Sequence, residues 1–410
     1  MRRLAKILLA GTAVATVASA ANAQTGPGAD VDNEQVLLGD VLADGRLHVI
    51  DPSDGVQSEV VASGNAIAAG VQNRRLDFAS KQRVKADVKA KTDVEIHGWT
   101  PKTEASSAAT GNQGEVWATD GGVIDANVRQ VVDDGSKVTA KTKVRAELSS
   151  SGDTDATSSA IGNSHSYAVG SGAYSRSETL QRQHGSVKAS TDASLFHVKG
   201  TANLGASAAS NDVSHTGDGA SGKVGAHQHA TGQTIASVVG NVKSGYLVNT
   251  DAQASGNTVS LLSRSRDAGI DARQKQEGYV RAETYLYVQD FGAASALANG
   301  VGNSIWADNA GEDLDIDADQ ENDGQVDVEA AFFGGNGYDA EVLATGYGNN
   351  VYGSVCSDCE GGLTANNRQI NTGGVNVTAR TDIGGSARNV RSTAHAVGNN
   401  AAFYANNPNR

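Results

Sequence analysis

The chain has 410 residues, 49 of them Gly and only 5% aromatic, with 33 Lys and Arg against 46 Asp and Glu. A formal net charge of −13 argues against a nucleic-acid binder, and a core made from so many small side chains must be thin and close-packed. Composition alone would permit disorder, but apolar residues alternate too strictly along the chain for that reading.

Arg2, Arg3 and Lys6 precede an apolar run from Ile7 to Ala18, and Ala21-Asn22-Ala23 then offers small residues two apart. This is the pattern of a secretory signal peptide over residues 1–23, with an exported chain beginning at Gln24. The apolar run is too short for a membrane span, and no Cys stands at the cleavage site to carry a lipid. Loss of the segment leaves 30 cationic against 46 acidic residues. Residues 24–60 lack the repeat markers found later; VLLGDVLADGRLHVI within them reads as one or two strands with a turn at Asp44-Gly45. We take residues 24–60 as an N-terminal cap over the first strand edge, and residues 61–410 as a repeat array.

The array is marked by Gly-Asn steps at Asn65, Asn112, Asn163, Asn257, Asn303, Asn349 and Asn399, with Ser210-Asn211 filling the one gap. The eight copies are spaced by 47, 51, 48, 46, 46, 46 and 50 residues. At period two, Val301, Asn303, Ile305 and Ala307 share one strand face, so each Asn falls on an apolar side. A buried amide needs partners, and stacked copies about 4.8 Å apart would supply them as a ladder. The alternative is that Gly-Asn is only a turn dipeptide.

A second alternating strand recurs in each unit. It is clearest at Val84, Ala86, Val88, Ala90, Thr92, Val94 and Ile96, and returns at Val138 to Ala146, Val187 to Thr191, Val280 to Leu286, Val326 to Phe332 and Val375 to Thr381. The unit around Val242 to Thr250 fits poorly, and Arg264 to Gln276 could form a turn of helix. No Pro lies between residues 102 and 407, as continuous sheet requires. The expectation is an all-β, β-solenoid or β-helix-like repeat rod of about eight units of 46 to 51 residues. One coil per unit would give on the order of 40 Å of length, and two coils about twice that.

Little in the chain suggests catalysis: no nucleophile motif, phosphate loop or spaced carboxylate pair emerges, and no cofactor is expected. Asp319, Glu321 and Asp323 imitate the opening of an EF-hand calcium loop, but Ala330 occupies the position of the bidentate Glu, so the stretch reads as a solvated acidic face. His227 and His229 read as a surface pair. Cys356 and Cys359, the chain's two cysteines, are expected to form a local disulfide staple. Trp117 and Trp306 fall on the outer face and are candidate glycan contacts, with ordinary packing as the alternative. The catalytic alternative for the whole chain is a secreted β-helix polysaccharide lyase or hydrolase.

The stretches ATGNQGEVWATDGG, LANGVGNSIWADN and ATGYGNNVYGS, with the Ala-rich leader and the acidic Gly- and Asn-rich body, resemble the HfaD family of holdfast anchor proteins from stalked, Caulobacter-like bacteria. The resemblance implies a non-enzymatic protein at the cell surface of the stalked pole, tying an adhesive polysaccharide to the outer envelope. It further implies other holdfast anchor proteins and an outer-membrane secretion protein of the curli-pore type as partners. Curli subunits also stack Gln and Asn, but the units here are about twice as long and no regular Gln pairing is evident in several copies, so a monomeric rod or a limited polymer is expected.

Overall fold

The computed structural model describes residues 28–52, 54–356 and 361–405; residues 1–23, read above as a signal peptide, and Cys359 lie outside them. Nineteen strands and no helix occur among the described residues. In chain order the first coils hold β1 (Gly28–Leu37), β2 (Val41–Val49), β3 (Val56–Gln72), β4 (Arg75–Val84), β5 (Val88–Ile96) and β6 (Thr100–Thr119). The middle of the chain holds β7 (Val123–Val132), β8 (Lys137–Val169), β9 (Tyr174–Gln183), β10 (Ser186–Asp218), β11 (Ser221–Ala230), β12 (Thr234–Arg264) and β13 (Asp267–Gln276). It ends with β14 (Val280–Asn309), β15 (Asp313–Asn322), β16 (Val326–Val355), β17 (Leu363–Asn371), β18 (Val375–Ile383) and β19 (Asn389–Ala405).

These strands form a β-solenoid of two parallel sheets. One contains the short strands in the order β1-β4-β7-β9-β11-β13-β15-β17; the other contains the long strands, from β2 and β3 at one end to β18 and β19 at the other. Each repeat is therefore one coil: a short strand, a turn, then a long path that bends at a corner before carrying the Gly-Asn step. In β8, β10, β12, β14 and β16 that path is one unbroken strand, while in the first two coils and the last it divides in two.

Register follows from the apolar alternation, because a one-residue slip would turn every core side chain outward. Asn65 faces Asn112, Asn112 faces Asn163, and the match continues through Asn211, Asn257, Asn303 and Asn349 to Asn399. Two hydrophobic cores fill each coil. Val88, Ala90 and Val94 pack with Ala105 and Ala109 in one, and Val116 and Ala118 pack with Ile124 and Ala126 in the other.

Several expectations change. The segment read as an N-terminal cap carries the strands of a first coil, with Gly28 to Leu37 in register with Arg75 to Val84 and Val41 to Val49 in register with Val88 to Ile96. Strand β2 runs straight through Asp44-Gly45, where a turn was expected, and the break falls at Leu38–Asp40. Arg264 to Gln276 makes no helical turn; Asp267–Gln276 is a strand whose buried Ala268, Ile270 and Ala272 are set among Asp267, Gly269, Asp271 and Arg273. The poorly fitting stretch Val242 to Thr250 is the corner of β12, where Lys243 and Tyr246 drop out of the register with β14, and the alternating part of that unit lies earlier, with Thr234, Ala236 and Val238 opposite Val280, Ala282 and Thr284.

The face assignment also shifts. Val301 is half-exposed, whereas Gly302 and Asn303 are both buried, so the alternation slips by one residue at this step, as it does from Gly111-Asn112 through Gly348-Asn349. Gly is demanded there because a Cβ on Gly302 would lie 2.5 Å from the Gly348 carbonyl oxygen of the next coil.

Candidate attachment surface

The Gly-Asn steps build a continuous column of amides. Each Asn Nδ2 donates to the Oδ1 of the Asn one coil further on, at 2.7 to 2.8 Å, from Asn65 through to Asn399. Its second hydrogen goes to a backbone carbonyl on the neighbouring short strand, such as Glu321 for Asn303 at 2.8 Å. The side chains from Asn65 to Asn349 are sealed from water, while Asn399 ends the column exposed, and every polar valence so used offsets the cost of burying the amide.

A second column, not foreseen from the sequence, stands opposite. Gln35, Gln82, Gln130, Gln181, Gln228, Gln274, Gln320 and Gln369 occupy equivalent places on the short strands, and each Nε2 donates to the Oε1 of the Gln one coil earlier, at 2.7 to 2.9 Å. Each also donates to the carbonyl of the residue after a ladder Asn, as Gln274 does to Ser304 at 3.0 Å. The two columns run in opposite directions. Their aligned amide dipoles thus oppose one another, and together they form a polar seam between the two apolar cores. The Gln intervals are as regular as those of Asn, and that spacing was the available signal.

Single apolar side chains such as Leu38, Ile50, Trp99 and Leu148 are exposed elsewhere on the solenoid, but aromatic rings gather at the corner of the long strands. Phe196, Tyr246, Tyr287, Phe291, Phe333 and Tyr338 gather there from four successive coils. They line two adjoining grooves of about 570 and 580 Å³. Tyr287 and Phe333 stack at 4.7 Å with their planes 8° apart, and Lys243 Nζ sits 4.6 Å from the centre of the Phe196 ring. Tyr246 is 72% exposed and Tyr338 62%, while His197, Lys199, Asp290 and Asn336 add polar groups to the rim. Flat aromatic faces beside hydrogen-bonding groups are the chemistry that grips a sugar ring.

Trp306 stacks on Tyr352 at 4.2 Å, and Tyr352 lies 5.7 Å from Tyr404, making an aromatic row over the last three coils. Trp117 stands apart from both, 41% exposed, with its ring laid over Gly70. Asp319, Glu321 and Asp323 do not converge as a calcium loop would. Asp319 and Glu321 lie in the extended strand β15, where Asp319 pairs with Arg368 at 2.7 Å, and both Glu321 and Asp323 face Lys275 at 3.6 Å. His227 and His229 are bound to separate carboxylates, Glu178 and Glu277, each at 3.0 Å. Cys356 is disulfide-bonded.

Two histidines are buried instead. Neither ring nitrogen of His165 meets a partner among the described residues, and burial pushes its pKa down to about 3. Its ring packs 4.6 Å from that of Tyr167. His215 shares a 2.8 Å hydrogen bond with Ser175, and burial lowers its pKa to about 4.

The fold and its paired amide columns define a parallel β-solenoid that displays an aromatic groove at the corner of its long strands. The chain belongs to the holdfast attachment protein D family, HfaD, whose family model matches residues 50–325. No match was found among curated proteins or solved structures. Membership makes this a holdfast attachment protein associated with the cell surface or envelope.

Proposed function

We propose that the chain is a non-enzymatic anchor that holds an adhesive polysaccharide to the outer envelope of the cell pole, with the corner groove as its glycan contact. The observation that carries this reading is the gathering of Phe196, Tyr246, Tyr287, Phe291, Phe333 and Tyr338 at one corner, in a chain with only 5% aromatic residues. The row of Trp306, Tyr352 and Tyr404 gives a second stacking surface nearer the C-terminus. The solenoid serves as a stiff spacer, delivered through an outer-membrane secretion protein after loss of residues 1–23 and seated beside other holdfast anchor proteins.

The ends favour contact with further copies. The Asn column finishes with its donor pointing outward at Asn399 and its acceptor at Asn65, and the Gln column finishes in the reverse sense at Gln369 and Gln35. A head-to-tail neighbour would continue both columns.

The test is to delete the gene in the native host and complement it with the wild type or with a Tyr246→Ala/Tyr338→Ala variant. Adhesive that is made but shed into the medium by the deletion and by the variant supports the reading. Normal retention in the deletion strain refutes the anchor role, and normal retention in the variant alone refutes the groove as its contact.

A further inference from the structure

Away from the grooves and the amide columns, one cluster on the solenoid surface has the composition of a transition-metal site. His48 comes from β2 in the first coil, while Glu95 comes from the end of β5 in the second and His97 directly follows that strand. Glu95 Oε1 lies 3.3 Å from His97 Nε2, and Glu95 Oε2 lies 3.7 Å from His48 Nδ1. All three ligand atoms fall within 4.8 Å of one another, and the two imidazole rings meet edge to face at 4.9 Å. A zinc ion with bonds of about 2.0 Å in tetrahedral geometry needs ligand atoms about 3.3 Å apart, so small side-chain rotations complete the set.

We propose that His48, Glu95 and His97 bind a divalent zinc-class cation that clips the first coil to the second. The backbone beneath the site is already fixed: His48 and Glu95 are opposite one another in the register of β2 with β5, and the His97 N–H donates to the Val49 carbonyl at 3.0 Å. Two imidazoles and one carboxylate leave a fourth position for water, and nitrogen donors select zinc over calcium or magnesium.

Arg145 is the local competitor. Its Nη2 lies 3.3 Å from Glu95 Oε2 but also 3.1 Å from Asp93 Oδ1, so the guanidinium keeps a carboxylate partner when the cation takes Glu95. The location gives the clip a purpose. Strand β2 stands at the end of its sheet and is paired on one side only, with β5, so it is open to fraying.

The proposal is tested by titrating zinc chloride into the exported chain after removal of any affinity tag, with hydrogen exchange of β2 followed in parallel. One equivalent is expected to bind and to slow exchange in β2. His48→Gln/His97→Gln should lose affinity by more than about 100-fold, beyond the usual outer-shell effect, and lose the protection, with an unchanged circular dichroism spectrum. Arg145→Gln should bind zinc more tightly. Absence of binding to the wild type, or an isotherm unchanged in the double variant, overturns the site.

Discussion

Asn303 donates one amide hydrogen to Asn349 Oδ1 and the other to the Glu321 carbonyl, both at 2.8 Å, while its own oxygen accepts from Asn257 at 2.8 Å. Asn303→Ala therefore strands three buried groups at once. It should destabilise the protein by about 3 kcal/mol or more, seen as a melting temperature several degrees lower. Asn303→Asp should be worse, because it sets an acceptor against the Asn349 oxygen. Melting temperatures equal to wild type would show that the column does not bear on stability.

The Gln column makes a parallel prediction. Gln274 joins Gln228 and Gln320 at 2.7 Å on both sides, so Gln274→Ala should cost as much as Asn303→Ala. Thermal denaturation of the two variants decides the matter; an unaffected Gln274→Ala would leave the Asn column as the sole polar support.

Acid should loosen the fold through two buried imidazoles. His165 and His215 have folded pKa values of about 3 and 4, below the ordinary 6.5, so the unfolded chain binds more protons between those limits. Their contribution is complete above the unfolded value and is lost as pH falls below it, at about 1.4 kcal/mol per pH unit for each ring. Denaturant midpoints measured from pH 7 to pH 4 should fall steadily, and His165→Leu should flatten the curve. A slope that is the same in wild type and variant would contradict the assignment.

Substitutions in the groove should separate binding from folding. Tyr246→Ala and Tyr338→Ala remove exposed rings and should leave the melting temperature unchanged while weakening retention of the polysaccharide. Trp306→Ala should behave similarly, losing its stack on Tyr352 but little core. Phe291→Ala, at 5% exposure, should instead cost about 3 to 5 kcal/mol of stability. Quantitative binding of labelled holdfast polysaccharide to each purified variant distinguishes the two classes.

Half of the amide seam was legible in the sequence and half was not, for a physical reason. Every ladder Asn but one follows a Gly, because the backbones of successive coils approach too closely there for a Cβ, and the pair stands out as a dipeptide. The ladder Gln residues have no such companion. Gln181 lies between Leu180 and Arg182, and Gln274 between Arg273 and Lys275, contexts that look like a solvated face until the strand is known to bury alternate residues.

The groove was hidden for a different reason. Its rings are drawn from a corner where the register between β8 and β10 shifts at Leu195/His197 and again at Val198/Ala202, so their spacing follows no simple period. Trp117 and Trp306, conspicuous as rare residues, come from different coils and do not meet.

The backbone hydrogen bonds between successive coils lie along the solenoid axis, and this bears on how such a molecule resists a pull. Tension gripped across several coils at the corner loads many bonds together, so they must yield in concert. Tension entering through the chain at either end loads the outermost strand and can peel it bond by bond. A rod held by its flank withstands drag that would unravel the same rod held by its tip.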